Sequence, residues 1–200
     1  MRRVPAMAVN LTRIYTRTGD AGETRLGDNS TTSKTDPRLA AYGDVDEANS
    51  AIGVAIAAGH LNSTLVLLLT RIQNDLFDVG ADLCNPITPN PAYEPLRITQ
   101  EYIDRLEGWC DEYNARLTKL RSFILPGGAV GAAHLNVART VVRRAERTAW
   151  AAVEAHGPAV NLLAITYLNR LSDLLFILGR VANLSSGGDV LWVPGGERTS

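Results

Sequence analysis

The strongest chemical signal in the sequence is a run of nine residues, Arg139-Thr140-Val141-Val142-Arg143-Arg144-Ala145-Glu146-Arg147, which holds four arginines and one glutamate. Such a density of guanidinium groups repels itself and serves a polyanion better than it serves a helix. Phosphate is the natural counterpart, because the planar fork of arginine donors matches phosphate oxygens. Glu146 can orient an arginine or accept from a ribose or a metal-bound water. A second polar segment lies near the start: Thr16, Thr18 and Thr24 offer hydroxyls, Gly19 and Gly22 let backbone N–H groups approach an anion, Asp20 can hold Mg²⁺ through water, and Lys34 adds a point charge. Arg17 lies within it. This is no Walker A loop, since the lysine does not follow a G-x-x-x-x-G and no strand precedes it.

Other chemistries find no support. His60, His134 and His156 have no partners at metal-ligand spacing, and no Ser/His/Asp or Cys/His constellation offers a nucleophile with its base. A reaction run by this inventory needs positioning and charge stabilisation more than acid–base help.

The elements that must position these residues read as helices. Asp36-Pro37 supplies a cap and a first-turn proline for a helix running to Ala58. Beyond Gly59, Leu61, Leu65, Leu68, Ile72, Leu76, Val79 and Leu83 recur at the three-four spacing of a bundle seam. Prolines 86, 89, 91 and 95 enforce a loop, read as a variable surface loop over 85–98, before a third helix capped by Thr99 and running to about Lys119. Pro126-Gly127-Gly128 and Gly157-Pro158 punctuate a fourth helix to about Ala155 and a fifth to about Leu184. The expectation is all-α: a five-helix up-and-down bundle with an N-terminal Gly/Thr-rich loop and no sheet. One domain spans 1–200, with 1–10 as an extension and 185–200 as a tail. Val190-Leu191-Trp192-Val193 is extended, laid on the bundle or on a neighbouring subunit.

Three polar stripes recur on the helices: Tyr42, Asp46, Asn49 and Gly53; Arg139, Arg143, Glu146 and Arg147; and Asn169, Asp173, Phe176 and Arg180. Singly, each is as well explained by solvated faces or structural ion pairs. Together they point to a ligand. With 20 Lys+Arg against 21 Asp+Glu the chain has no basic field for nucleic acid. Two cysteines, no signal-peptide pattern and no run of about 18 apolar residues predict a cytoplasmic protein that does not span a membrane.

In order along the chain, Tyr15 to Thr24, Lys34-Thr35-Asp36, Ala41 to Glu47, Phe123-Ile124-Leu125-Pro126-Gly127-Gly128, Ala138 to Arg147 and Leu168 to Asp173 resemble the PduO-type ATP:cob(I)alamin adenosyltransferases, over about Ile14 to Leu184. The resemblance implies a homotrimer with active sites between subunits. It also implies attack of cobalt(I) on C5′ of ATP, with release of triphosphate. By that likeness Thr16, Arg17, Thr18, Gly19, Gly22, Thr24 and Lys34 form the ATP loop, with Mg²⁺ near the phosphates, and Arg143, Arg144, Glu146, Arg147 and Asn169 complete the nucleotide site. Asp46 and Arg139 correspond to an ion pair across the subunit boundary, on otherwise core-facing stripes. Phe123 corresponds to the aromatic residue that displaces the lower base of cobalamin. Implied partners are a cob(II)alamin reductase and an adenosylcobalamin-dependent enzyme. The competing readings are an ATP-gated cobalamin carrier and a helical interaction protein.

Overall fold

The computed structural model describes residue 15 and residues 17–197. Five helices dominate it: α1 Pro37–Ala58, α2 Ser63–Cys84, α3 Gln100–Asn114, α4 Val130–His156 and α5 Leu162–Asn183. The caps explain most of the starts. Asp36 accepts from Arg38 N with Pro37 in the first turn, Asn62 accepts from Leu65 N, and Asn161 accepts from Leu163 N. Thr99 stands at the start of α3 without a capping bond. That helix ends at Asn114, five residues before the expected Lys119, because Arg116 N and Leu117 N donate to carbonyls only three residues back, those of Tyr113 and Asn114, in tighter turns.

The helices alternate in direction. At one end His156 meets Asp36 and Asn161 meets Asp82; at the other, Gly131 packs on Gly59 and Asn183 on Gly128. A Cβ on Gly59 would lie 2.9 Å from Gly131 Cα, so both positions need glycine for α1 and α4 to approach. Helix α4 packs between α1 and α5, with α2 beyond α1 and α3 beyond α5. The core is aliphatic and small: Ala41, Ala48 and Ala55 of α1 face Ala138, Ala145 and Ala149 of α4, all fully buried. Alanine at each contact lets these two helices sit close. By length and composition α5 could cross a membrane, yet more than half of its apolar window is buried inside the bundle, as befits a core helix.

One expectation fails. Glu23–Arg25 (β1) and Thr31–Ser33 (β2) form an antiparallel hairpin, Glu23 opposite Ser33 and Arg25 opposite Thr31. Three-residue strands are too short to show alternation in a sequence. Backbone bonds close the turn, Leu26 N to the Ser30 carbonyl and Asn29 N to the Leu26 carbonyl, and Asp28 Oδ1 adds to them by accepting from Ser30 N at 2.9 Å and from Ser30 Oγ at 2.6 Å, while Asn29 takes a positive φ of 68°.

Candidate functional site

Arg139, Arg143 and Arg147 project from one side of α4. Arg139 is half-buried and donates through Nε to Asn136 Oδ1 at 3.3 Å; Arg147 Nη1 donates to the Arg143 carbonyl at 3.0 Å. Among the described residues, none of the three guanidiniums has a carboxylate at ion-pair distance. Burial, with the Arg143 charge beside it, pushes Arg139 below the ordinary guanidinium value. An anion placed here would relieve both penalties. Next to the cluster, Asn169 Nδ2 donates to Glu146 Oε1 at 3.0 Å and so ties α5 to α4.

Arg139 and Arg143 open into a cavity of about 610 Å³, whose other walls include Lys119, Ser172, Asp173, Phe176 and Arg180. Arg180 has no charge to spare: it is 6% exposed and donates to Asp189 Oδ2 at 2.8 Å and to the Thr118 carbonyl at 2.9 Å. Leu120 and Phe176 are shared with a second, apolar hollow of about 900 Å³, lined by Phe123, Leu191, Trp192, Val193 and Pro194. Phe123 stands at its rim, 78% exposed, with its ring 6.0 Å from Trp192 in an edge-to-face contact. The tail that supplies Trp192 is laid along its own chain. Leu125 N donates to the Val190 carbonyl at 2.7 Å, Trp192 N to the Phe123 carbonyl at 2.8 Å, and Ser122 Oγ to the Trp192 carbonyl at 3.0 Å. A cationic cavity thus shares a wall with a larger apolar one.

The Gly/Thr loop is built on the hairpin. Gly22 N donates to the Gly19 carbonyl, Lys34 N donates to the Gly22 carbonyl at 2.8 Å, and the Lys34 ammonium lies over Gly19, 3.1 Å from where a Cβ would stand. Thr18, Gly19, Thr24 and Arg25 border a hollow of about 330 Å³. Arg17 is exposed and takes a φ of 63°. Asp36 holds the base of the hairpin: its carboxylate accepts from Arg38 N, from Thr32 Oγ1 at 2.8 Å, and bonds to His156 Nε2 at 2.7 Å. Burial alone would raise the Asp36 pKa, but these hydrogen bonds outweigh it and leave the carboxyl below its usual range.

The structure brings Gly19, Gly22, Thr24 and Lys34 together, and separately Arg139, Arg143, Glu146, Arg147 and Asn169. It does not join the two groups in one chain. The hairpin hangs at the His156 end of α4, and thirteen residues of helix, about 20 Å at 1.5 Å per residue, separate His156 from Arg143. Arg144 points elsewhere: it pairs with Asp44 at 3.4 Å and with Glu47 of α1, which raises its pKa. Asp46 is exposed, against the expectation of a core-facing position, and makes no ion pair among the described residues. Asn49 is buried and exchanges hydrogen bonds with Gln73 of α2, so that member of its stripe is structural. Thr16 lies outside the described residues, and among those residues no three acidic, histidine or cysteine side chains form a metal-holding group. Sequence reasoning missed the Arg180–Asp189 pair; the only signal was Arg180 sharing a stripe with Asn169.

The family model for cobalamin adenosyltransferase matches residues 14–182. The chain is 66% identical over 194 residues to a corrinoid adenosyltransferase of Mycobacterium tuberculosis, covering 97% of this chain and all of that protein. It is 63% identical to the corrinoid adenosyltransferase of Mycobacterium leprae, over 95% of this chain and all of that one. Among solved structures, a variant PduO-type ATP:corrinoid adenosyltransferase from Lactobacillus reuteri, complexed with cobalamin and ATP, superposes with a TM-score of 0.82 at 36% identity, over 91% of this chain and all of that chain.

Proposed function

The chain belongs to the cobalamin adenosyltransferase family, and from that premise we propose how its two separated groups of residues carry out the transfer. The enzyme moves the 5′-deoxyadenosyl group of ATP to the cobalt of cob(I)alamin. The cobalt supplies the electron pair that forms the Co–C5′ bond, the C5′–O bond breaks, and inorganic triphosphate leaves with that bond's electrons. No protein base is required, because the nucleophile is an electron-rich metal ion and no proton moves. The protein must align ATP and neutralise the departing charge.

Arg143 and Arg147 stabilise the triphosphate, and Glu146 with Asn169 fixes the nucleoside end. The corrin ring occupies the apolar hollow. There Phe123 bars the lower base from cobalt and leaves it four-coordinate. The observation that carries this reading is the shared wall between an arginine cluster with no ion pair among the described residues and an apolar hollow rimmed by Phe123. Mg²⁺ travels with the phosphates, with Asp20 as a loop carboxylate able to reach its water shell.

The loop of one copy completes the cluster of the next in a homotrimer. Two features support that: the loop hangs about 20 Å of helix away from Arg143 in its own chain, and among the described residues Arg139 and Asp46 each lack an ionic partner, which pairing across copies would supply. Arg144 is then a brace between α1 and α4. A cytoplasmic location accords with two free cysteines and with ATP as substrate. Electrons for the cobalt come from a cob(II)alamin reductase, and the product passes to an adenosylcobalamin-dependent enzyme.

Mixing the protein with Mg-ATP and chemically reduced cob(I)alamin, while following adenosylcobalamin and triphosphate, tests the reaction: both products form at a catalytic rate. ATP binding without either product would return the carrier reading. Subunit sharing is tested by reassembling inactive Lys34→Ala chains with inactive Arg143→Ala chains. Recovered activity is expected, and its absence would place each site within one chain.

A further inference from the structure

The proline-rich segment 85–98, expected as a surface loop, is folded against the back of the hairpin. Arg97 knots its base, donating to the carbonyls of Asp82, Asn85 and Pro86 and to Asp82 Oδ1 at 2.6 Å. From that base the segment delivers Tyr93, whose hydroxyl donates to the Gly27 carbonyl at 2.6 Å and accepts from Asn85 Nδ2 at 3.0 Å. Gly27 N in turn donates to the Cys84 carbonyl at 3.0 Å, and a Cβ on Gly27 would lie 3.2 Å from the Asn85 side chain. The turn of the hairpin is therefore gripped from both sides, by the end of α2 and by Tyr93.

We infer that Tyr93 is a positioning residue for ATP, holding the hairpin in its nucleotide-binding shape without touching the nucleotide. This rests on the reading that the Gly19–Lys34 loop binds ATP. The physical reason is the size of the hairpin. A two-stranded ribbon of three-residue strands is marginal alone, so its external clamps set the fraction of molecules that present the loop correctly, and apparent affinity scales with that fraction. Both capacities of the Tyr93 hydroxyl are used, one as donor and one as acceptor, so removing it releases two bonds at once. The ring is 52% exposed, so its hydroxyl can be removed without opening a core cavity.

The test compares Tyr93→Phe with the unmodified protein for KM for ATP, kcat, cobalamin affinity and thermal midpoint, and measures equilibrium ATP binding for both Tyr93→Phe and Lys34→Ala. For Tyr93→Phe the expected result is a rise in KM for ATP of about three- to tenfold, with kcat and cobalamin affinity unchanged and the midpoint shifted by no more than about 3 °C. An unchanged KM in Tyr93→Phe, alongside weakened ATP binding in Lys34→Ala, overturns the role of Tyr93 and leaves the loop assignment standing. A lowered midpoint with no change in KM also overturns it, since a merely structural tyrosine behaves that way. If neither variant alters ATP binding, the loop assignment fails and the inference falls with it.

Discussion

Arg38 on α1 and Arg143 on α4 carry the same side chain and meet opposite surroundings. Arg38 is 2% exposed; its two terminal nitrogens donate to the Leu83 carbonyl at 2.7 Å and to the Ala159 carbonyl at 3.1 Å, tying α1 to the end of α2 and to the short turn Gly157–Ala159. Burial pushes its pKa down and the Asp36 carboxylate opposes that push, so the charge survives because the fold surrounds it with acceptors. Arg143 is exposed, stands beside Arg139 and has no carboxylate at ion-pair distance among the described residues. Where the chain saturates a guanidinium with its own oxygens, that arginine belongs to the architecture. Where three gather on one helix with no carboxylate at ion-pair distance among the described residues, the bound anion proposed above would offset the repulsion.

The sharpest way to break this contrast is to exchange the expected phenotypes. Replacing Arg143 by Ala should lower turnover by about 10²- to 10³-fold, as expected for loss of one donor to developing charge, while the melting temperature stays close to that of the parent. Replacing Arg38 by Met should leave the buried Leu83 carbonyl unmet, while the Ala159 carbonyl keeps Ile87 N–H, and lower the melting temperature by roughly 5 °C. Turnover per folded molecule should then hardly change. Steady-state assays and thermal melts on both variants decide the matter; a stable, inactive Arg38→Met enzyme would erase the distinction.

A smaller effect is expected at Phe123, whose ring is too exposed to stabilise the fold. Phe123→Ala should slow adenosylation starting from cob(II)alamin more than from pre-reduced cob(I)alamin, and equal slowing would sink the role given to the ring. The smallest effect concerns pH at the anchored end. The Asp36 carboxyl is lowered in the folded state, so its stabilisation is present above the usual carboxylate pKa and is lost as pH falls through the folded value. The stability advantage of the parent over Asp36→Asn should accordingly shrink below about pH 4, by the reference carboxylate value. A difference that stays constant from pH 7 to pH 3 would show that the cap does not depend on charge.

The helices were legible because their signals are local. Asp36-Pro37 opens α1 where expected, Gly59 closes it, and the leucine seam of α2 is buried almost as read. The hairpin was illegible because three residues per strand carry no periodicity and its turn is closed by backbone bonds together with the Asp28 carboxylate. The candidate site was half legible. The arginine run pointed to a polyanion, but spacing alone could not separate Arg143, without an ion pair among the described residues, from Arg144, paired with Asp44 and Glu47 across the helix contact. Nor could it tell exposed Asp46 from buried Asn49, three residues on, because a sector about 100° wide on α1 runs from solvent into the seam with α2. The segment 85–98 is a loop as its prolines predict, but the bonds that anchor it depend on Arg97 and Tyr93 finding carbonyl groups distant in the chain, which no local pattern encodes.

Trp192, in edge contact with Phe123, also gives the hollow an optical property. Of the three tryptophans in the chain, Trp109 sits on α3 and Trp150 on α4, while Trp192 alone lines the apolar hollow. A corrin ring lodged there, as proposed above, would lie against an indole, close enough to drain its excited state. The intrinsic emission of this one side chain would then be a built-in gauge of occupancy, and chains keeping only Trp192 would report the arrival and departure of corrinoid without a label.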